Sequence, residues 1–275
     1  MKFNPFQAVF FTFLACTAFA AQAEPTPHSS TERWVVNYAD NQCVASLNFG
    51  DDKHPLILAL KPSPAGDIMQ LVVVKQAGFF DSPAQVPVKV RFDDQPAREF
   101  SMLAVQGNKA GPDNFRINLS LADFAPMRSA SSVTITSRGK MDEKFQLVQM
   151  TPLMRTIDNC VADLRRHWNI DSDLQSKLRS RAKNGDLPAL FSSDDYPGVS
   201  LQERQGGLVG LVILIDEKGK PADCMVTQTS NSAALDTQAC AMIMKRAKYD
   251  PAIGDDGKPA KSADTAKIRW EIPGG

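Results

Sequence analysis

Cys224 and Cys240 flank the stretch 223–244, DCMVTQTSNSAALDTQACAMIM, one on a strand-like run and one on a helix-like run, with a small polar turn between them. Two thiols so placed can form a disulfide, share a metal with other ligands, supply a nucleophile with a spare, or stay buried as free thiols. The redox compartment decides among these chemistries.

The N-terminus speaks to the compartment. Lys2 is the only charge in residues 1–23, an apolar run follows it, and Ala21-Gln22-Ala23 has the small-x-small form of a cleavage site. Residues 1–23 are therefore expected to be a cleaved signal peptide. The alternative is a retained inner-membrane anchor, because the run is almost long enough to span a bilayer. Acylation at Cys16 is disfavoured by Phe13, which stands where a lipoprotein signal needs a small aliphatic residue. Removal of the signal leaves 252 residues (275 − 23), with Cys43, Cys160, Cys224 and Cys240, and a formal charge of −1 (30 basic, 31 acidic). So balanced a chain gives no electrostatic reason to expect nucleic acid as a partner. An even cysteine count in an exported chain points to disulfides.

Behind these residues, the expected fold class is α+β. Residues 24–32 are expected to be a disordered leader. Residues 33–150 carry one short Val-, Ile- and Phe-rich run after another, separated by Gly, Pro, Asp and Asn, which predicts an N-terminal β-sandwich. Residues 151–186 form a helical connector, because Leu153, Ile157, Cys160, Val161, Leu164 and Trp168 recur at helical spacing. A second connector helix is expected over 173–183, capped by Ser172 and ended by Asn184-Gly185. Residues 187–275 form a ββαβ domain. Its first strand, LVGLVILID, is apolar on both faces and must be covered on both sides. A turn at Glu217-Lys218-Gly219, a second strand, a helix marked by Leu235, Ala239 and Ile243, and an alternating last strand complete it.

In that arrangement Cys224 shares a strand face with Val226, and Cys240 borders the apolar stripe of the helix. A strand packed on a helix brings two such residues within bridging range. A Cys224–Cys240 disulfide is expected, closing about 17 residues and contributing about 3 kcal/mol in the chain-entropy model. Two buried thiols are the alternative. Cys43 and Cys160 are paired by elimination, closing about 118 residues, with separately buried thiols again the alternative. No metal site is expected, because His28, His54 and His167 all lie outside the last domain. No cofactor is expected. No nucleophile elbow, phosphate loop or zinc-protease helix is present. His167 and Asp163, four residues apart, are read as a solvated helix face.

Residues from about Tyr196 to Pro273 resemble the C-terminal domain of the TonB family. The resemblance rests on Tyr196-Pro197, GGLVGLVILIDEKGK, VTQTSNSAALD, KYDPAIGDDGKPAK and the closing IRWEI, in that order. It implies a fold that receives an extended peptide from an outer-membrane transporter by strand addition at a sheet edge. By position that edge is the last strand: Ala266, Lys267, Ile268, Arg269, Trp270, Glu271 and Ile272. The sequence does not fix which of Lys267 and Arg269 turns its N–H to that edge. Trp34, Cys43, VPVKVRFDD and NLSLADFAPMRSASSVTI resemble, more faintly, periplasmic β-domains of the invasion-associated-locus-B type.

The expected function is therefore that of a non-enzymatic periplasmic protein. Its C-terminal domain would bind a protein or peptide partner of the Gram-negative cell envelope, an outer-membrane transporter or a second copy of the chain among them. An inner-membrane-anchored energy transducer for TonB-dependent transport is the alternative, although the apolar segment lacks the His that family transducers carry there and no Pro-rich spacer follows it. A periplasmic hydrolase with an unrecognised site is the reading from another class. Intact mass of the mature protein separates the first two: a start at Glu24 supports export and cleavage, and a retained Met1 supports the anchor.

Overall fold

The computed structural model describes residues 24–39, 41–76, 83–105, 111–183 and 187–272. The signal-peptide expectation and Asn184-Gly185 lie outside them.

The first part of the chain supplies strands β1 (Pro27–His28), β2 (Val35–Ala39), β3 (Gln42–Asn48), β4 (Leu56–Pro62), β5 (Ile68–Lys75), β6 (Ala84–Phe92), β7 (Arg98–Val105), β8 (Asp113–Ser120), β9 (Ser132–Ser137) and β10 (Met141–Gln146). A short helix, α1 (Leu121–Phe124), follows β8 and is capped by the Ser120 hydroxyl, which accepts from the Asp123 amide. The period-two alternation along β3, β5 and β8 turns Ala45, Leu71, Phe115 and Ile117 inward.

The two sheets of a sandwich are not what forms. Among the described residues these strands make one sheet, in the order β1-β10-β9-β6-β7-β8-β5-β4-β3-β2. The sheet curls until its ends meet. Phe49, just beyond β3, packs edge-on against Phe145 of β10 at 5.0 Å, and the Trp34 indole donates to the Val148 carbonyl at 2.9 Å. Short strands and turn punctuation look alike in a sandwich and in a curled single sheet, because the distinction lies in which distant edges share hydrogen bonds. Residues 24–32, expected to be disordered, instead lie along this seam. β1 pairs in parallel with β10, Glu24 meets Arg91 at 2.8 Å and Lys144 at 3.1 Å, and His28 meets Glu143 at 2.7 Å.

Helix α2 (Met150–His167) packs Leu153, Met154 and Ile157 into the core of this sheet. Its last turns serve a second cluster, in which Cys160, Leu164 and Trp168 meet Cys43 and Leu214. Cys43 and Cys160 are disulfide-bonded, with their Cα atoms 6.1 Å apart. Helix α3 spans only Ser172–Lys177, shorter than the 173–183 expected, with Asp171 at its N-cap. The helix stops because the backbone beyond it finds partners elsewhere: Arg179 donates to the Ile253 carbonyl, and Lys183 and Asp250 bond each other.

The last part contains α4 (Gly198–Gln202), β11 (Gly207–Ile215), β12 (Pro221–Gln228), α5 (Ala233–Arg246), the short pair β13 (Ala252–Ile253) and β14 (Pro259–Ala260), and β15 (Ser262–Trp270). β11 is the central strand of a sheet ordered β12-β11-β15, antiparallel throughout. Val209, Leu211, Ile213 and Ile215 pack with Leu235, Ala239 and Ile243 of α5. Val212 and Leu214 point the other way, and Leu214 enters the cluster around the Cys43–Cys160 bridge.

The bridge thus sits where the first sheet, α2 and β11 converge, and its cysteines are 117 residues apart. Replacing Cys160 by Ala is expected to lower the unfolding free energy by about 2–5 kcal/mol in urea titration. An unchanged midpoint would contradict this role.

Candidate partner-binding edge of the C-terminal sheet

The turn leading into β12 is built on Asp216, whose Oδ1 accepts from the Lys218 and Lys220 amides at 2.9 and 2.8 Å. Gly219 closes it at φ +74°, and a Cβ there would stand 1.9 Å from the Tyr249 carbonyl oxygen. That close approach fixes the start of the segment returning toward β15, since Tyr249 donates to the Gly219 carbonyl at 2.9 Å.

The turn into α5 is organised by one carboxylate. Asp236, in the first helical turn and almost fully buried, accepts from the Thr229 hydroxyl at 2.5 Å and from the Ser230 amide and hydroxyl at 2.8 and 2.7 Å. A carboxylate there also faces the positive end of the helix dipole. The Ser232 hydroxyl donates to Gln205 at 2.7 Å and lies 3.1 Å from that of Ser200. This is the physical content of the stretch VTQTSNSAALD. Cys224 of β12 and Cys240 of α5 are disulfide-bonded beside it, with their Cα atoms 5.6 Å apart.

A second latch joins residues 51 positions apart, beyond the reach of any local pattern. Ser192 and Asp195 form a reciprocal capping box, and the Asp195 carboxylate takes a two-pronged contact from Arg246 at 2.5 and 2.8 Å. The Ser-x-x-Asp spacing was the available signal for the box. The Arg246 guanidinium, followed by the Ser192 amide, holds the Asp195 carboxyl well below the usual carboxylate range. The latch seats Tyr196, whose ring meets Trp270 edge-on at 5.3 Å, as Phe191 does from another side.

Strand β15 carries five of the residues singled out for partner binding: Ala266, Lys267, Ile268, Arg269 and Trp270. It starts earlier than expected, at Ser262, and ends at Trp270, so Glu271 and Ile272 lie just beyond it. Ala266, Ile268 and Trp270 are buried against the helix side, and Lys267 and Arg269 are exposed. Among the described residues β15 pairs only with β11.

The direction of its backbone groups follows from three contacts. The Thr265 amide is bonded to the Asp264 side chain at 2.8 Å, not to β11. The Lys261 carbonyl accepts from Asn169 at 2.8 Å, also away from β11. Trp270, by contrast, turns its carbonyl toward the start of β11, where a Cβ on Gly206 would meet it at 2.9 Å. The register from Ser262 to Trp270 is unbroken. Odd-numbered residues therefore direct N–H and C=O to the open edge, and even-numbered residues direct them to β11. Lys267 and Arg269, treated as alternatives from sequence, both point outward, because residues two apart on a regular strand share a direction. Asp264 borders this edge. Burial pushes its carboxyl pKa up, against hydrogen bonds from the Thr265 amide and the Tyr249 side chain.

His167 does not pair with Asp163. Asp163 contacts Arg166, and the His167 ring lies against Lys261, whose ammonium also sits 5.0 Å from the Trp168 ring centre.

Residues 193–272 match the family described as the Gram-negative bacterial TonB protein C-terminal. The match begins inside the Ser192–Asp195 box and runs past the end of β15, so it covers the whole three-stranded sheet and α5. The family is a non-enzymatic protein-interaction domain of the Gram-negative cell envelope. No curated protein and no solved structure matches the chain. No family match supports the fainter resemblance of the first half to invasion-associated-locus-B-type domains. No helix among the described residues is long and apolar enough to cross a membrane.

The Asp195–Arg246 latch is expected to make the TonB-like segment acid-sensitive. A carboxyl whose folded pKa is depressed contributes stability above its unfolded value, near 3.8, and loses it as pH falls toward the folded value. Below about pH 4 the native chain should therefore lose stability more steeply than an Asp195→Asn variant, whose side chain does not titrate. Parallel acid limbs in denaturation curves across pH would contradict the assignment.

Proposed function

We propose that the TonB-like segment receives an extended peptide from another envelope protein, an outer-membrane transporter in particular, as a strand added to the open edge of β15, in a chain exported to the periplasm. The one-sided pairing of β15 carries this reading. Ala263, Lys267 and Arg269 offer outward backbone groups in a row, and the fixed β11 pairing holds that row straight. Main-chain hydrogen bonds supply the affinity in strand addition, and alternate side chains supply selectivity. Here the side chains flanking the edge are Lys267 and Arg269, so an acidic residue in the incoming strand is favoured at those positions. The first sheet, β12 and α5 take no direct part in this contact.

The family match supports the reading because the matched residues include the whole of β15. Replacing Lys267 or Arg269 singly by Ala should cost about 1 kcal/mol or less, since exposed charges contribute little. Proline at either position removes an outward donor while leaving the β11 bonds in place, and should abolish binding in a folded protein. Proline at Ile268 removes a bond to β11 and should unfold the segment. A photo-crosslinking residue at Thr265, followed by mass spectrometry of adducts formed in intact cells, reads the outcome. Adducts to the periplasmic end of a transporter that disappear with Arg269→Pro support the proposal. Adducts to a second copy of the chain alone, or adducts unaffected by the proline, contradict it.

A further inference from the structure

The other edge of the small sheet, β12, does not face solvent. It lies over the outer face of the curled sheet, and a cleft of about 490 Å³ opens between them. That volume is within the range of small-ligand sites. Two polar bridges span it. Asn118, held by Gln70 at 2.8 Å, donates to the Val226 carbonyl at 3.1 Å, and Gln85 donates to Thr229 at 2.9 Å.

Arg116 lies in the wall of this cleft, on β8 two residues from Asn118. Phe115 and Ile117 point into the core, which turns Arg116 to the outer face. Its guanidinium has no carboxylate or other hydrogen-bonding partner among the described residues. The other cation in the lining, Lys61, already faces Asp223 at 3.6 Å, and Asp236 is consumed by the Thr229–Ser230 turn. Arg116 remains open to water, yet protein surrounds it closely enough for burial to push its pKa down from the usual guanidinium value. Both are properties of a charge set in a concave wall, and an anion placed there would relieve the lost solvation.

The opposite wall offers backbone. The Ala222 and Val226 carbonyls accept from Asn41 and Asn118, so the even-numbered groups of this stretch point away from β11. The Cys224 and Val226 N–H groups therefore face the cleft, beside Thr227 and the Cys224–Cys240 bridge. An uncommitted guanidinium and the outward amides of β12 match a ligand with amide groups and one carboxylate.

We infer that this cleft is a second binding site, distinct from the β15 edge, and that it takes the carboxylate end of a short peptide, with Arg116 as the anion receptor. The guanidinium would grip the carboxylate through two parallel N–H donors, a geometry Lys does not reproduce. The amides along β12 would hold the preceding peptide units.

The test uses the full mature chain with three probes at low salt: N-acetyl-trialanine with a free carboxylate, the same peptide as its C-terminal amide, and N-acetylalanine. Calorimetry gives affinity, and NMR shifts of the Arg116 Nε–H and the Cys224 and Val226 amides give location. The free acid should saturate, shift those three signals, and bind at least about ten-fold more tightly than the amide. Arg116→Gln should weaken the acid by about ten-fold or more, Arg116→Lys should restore only part of it, and neither should change the melting temperature. Equal binding of acid and amide, undiminished binding by Arg116→Gln, or no saturation of the acid up to about 10 mM would overturn the site. N-acetylalanine binding as tightly as the tripeptide would overturn the peptide assignment and leave a receptor for small carboxylates.

Discussion

Strand β11 has no face on which water is welcome. Val209, Leu211, Ile213 and Ile215 point to α5, and Val212 and Leu214 point to the other side, all of them buried. Fully burying such a side chain is worth about 1.5–3 kcal/mol, so these six together reach the order of 10 kcal/mol. That is comparable to the whole net stability of a domain. A three-stranded sheet with one helix covers only one of the two faces. The second cover must come from elsewhere in the chain, and around Leu214 it comes from α2, Trp168 and the Cys43–Cys160 bridge to the first sheet. The first half of the molecule is thus structurally required by the central strand of the second.

This requirement treats the two edges of the small sheet differently. β12 is drawn against the first sheet, where Asn41 and Asn118 cap its outward carbonyls and Lys61 meets Asp223. β15 touches that cover only at Ala263, near its N-terminal end. Among the described residues, its open side meets only the Asn169 contact at Lys261 and the local Thr265–Asp264 bond, both toward its N-terminal end. From Lys267 onward the outward groups are held straight by β11 on one side and by Trp270 wedged between Phe191 and Tyr196 at the strand end. Rigid backbone donors beside an uncovered edge are what an incoming strand needs.

Much of this was legible in the sequence where the information is local. The two-sided apolar pattern of β11, the Gly219 turn, the helical spacing of Leu153 through Trp168 and the alternation around Trp270 each follow from a few neighbouring residues. What was not legible depends on distant partners. Whether ten short strands close as two sheets or curl as one is decided where Phe49 meets Phe145, nearly a hundred positions away. The leader acquires order through the pairing of β1 with β10 and through Glu24, His28 and their partners on β6 and β10. The helix expected over 173–183 loses its second half to Ile253 and Asp250, a case of tertiary hydrogen bonding overriding local propensity. Asp195 and Arg246 are 51 residues apart, and nothing in either local stretch announces the pairing. The orientation of Lys267 and Arg269 needed the contacts at Thr265, Lys261 and Trp270 to fix the phase of the whole strand.

The central claim is that β15 is a paired strand on one side and an open one on the other. Amide hydrogen exchange along residues 262–270 of the isolated protein tests it directly, because it reads each N–H separately. The account predicts alternation: slow exchange at Ala266, Ile268 and Trp270, whose donors face β11, and fast exchange at Ala263, Lys267 and Arg269. Uniformly slow exchange through both sets would mean that the edge is already occupied, and would contradict it.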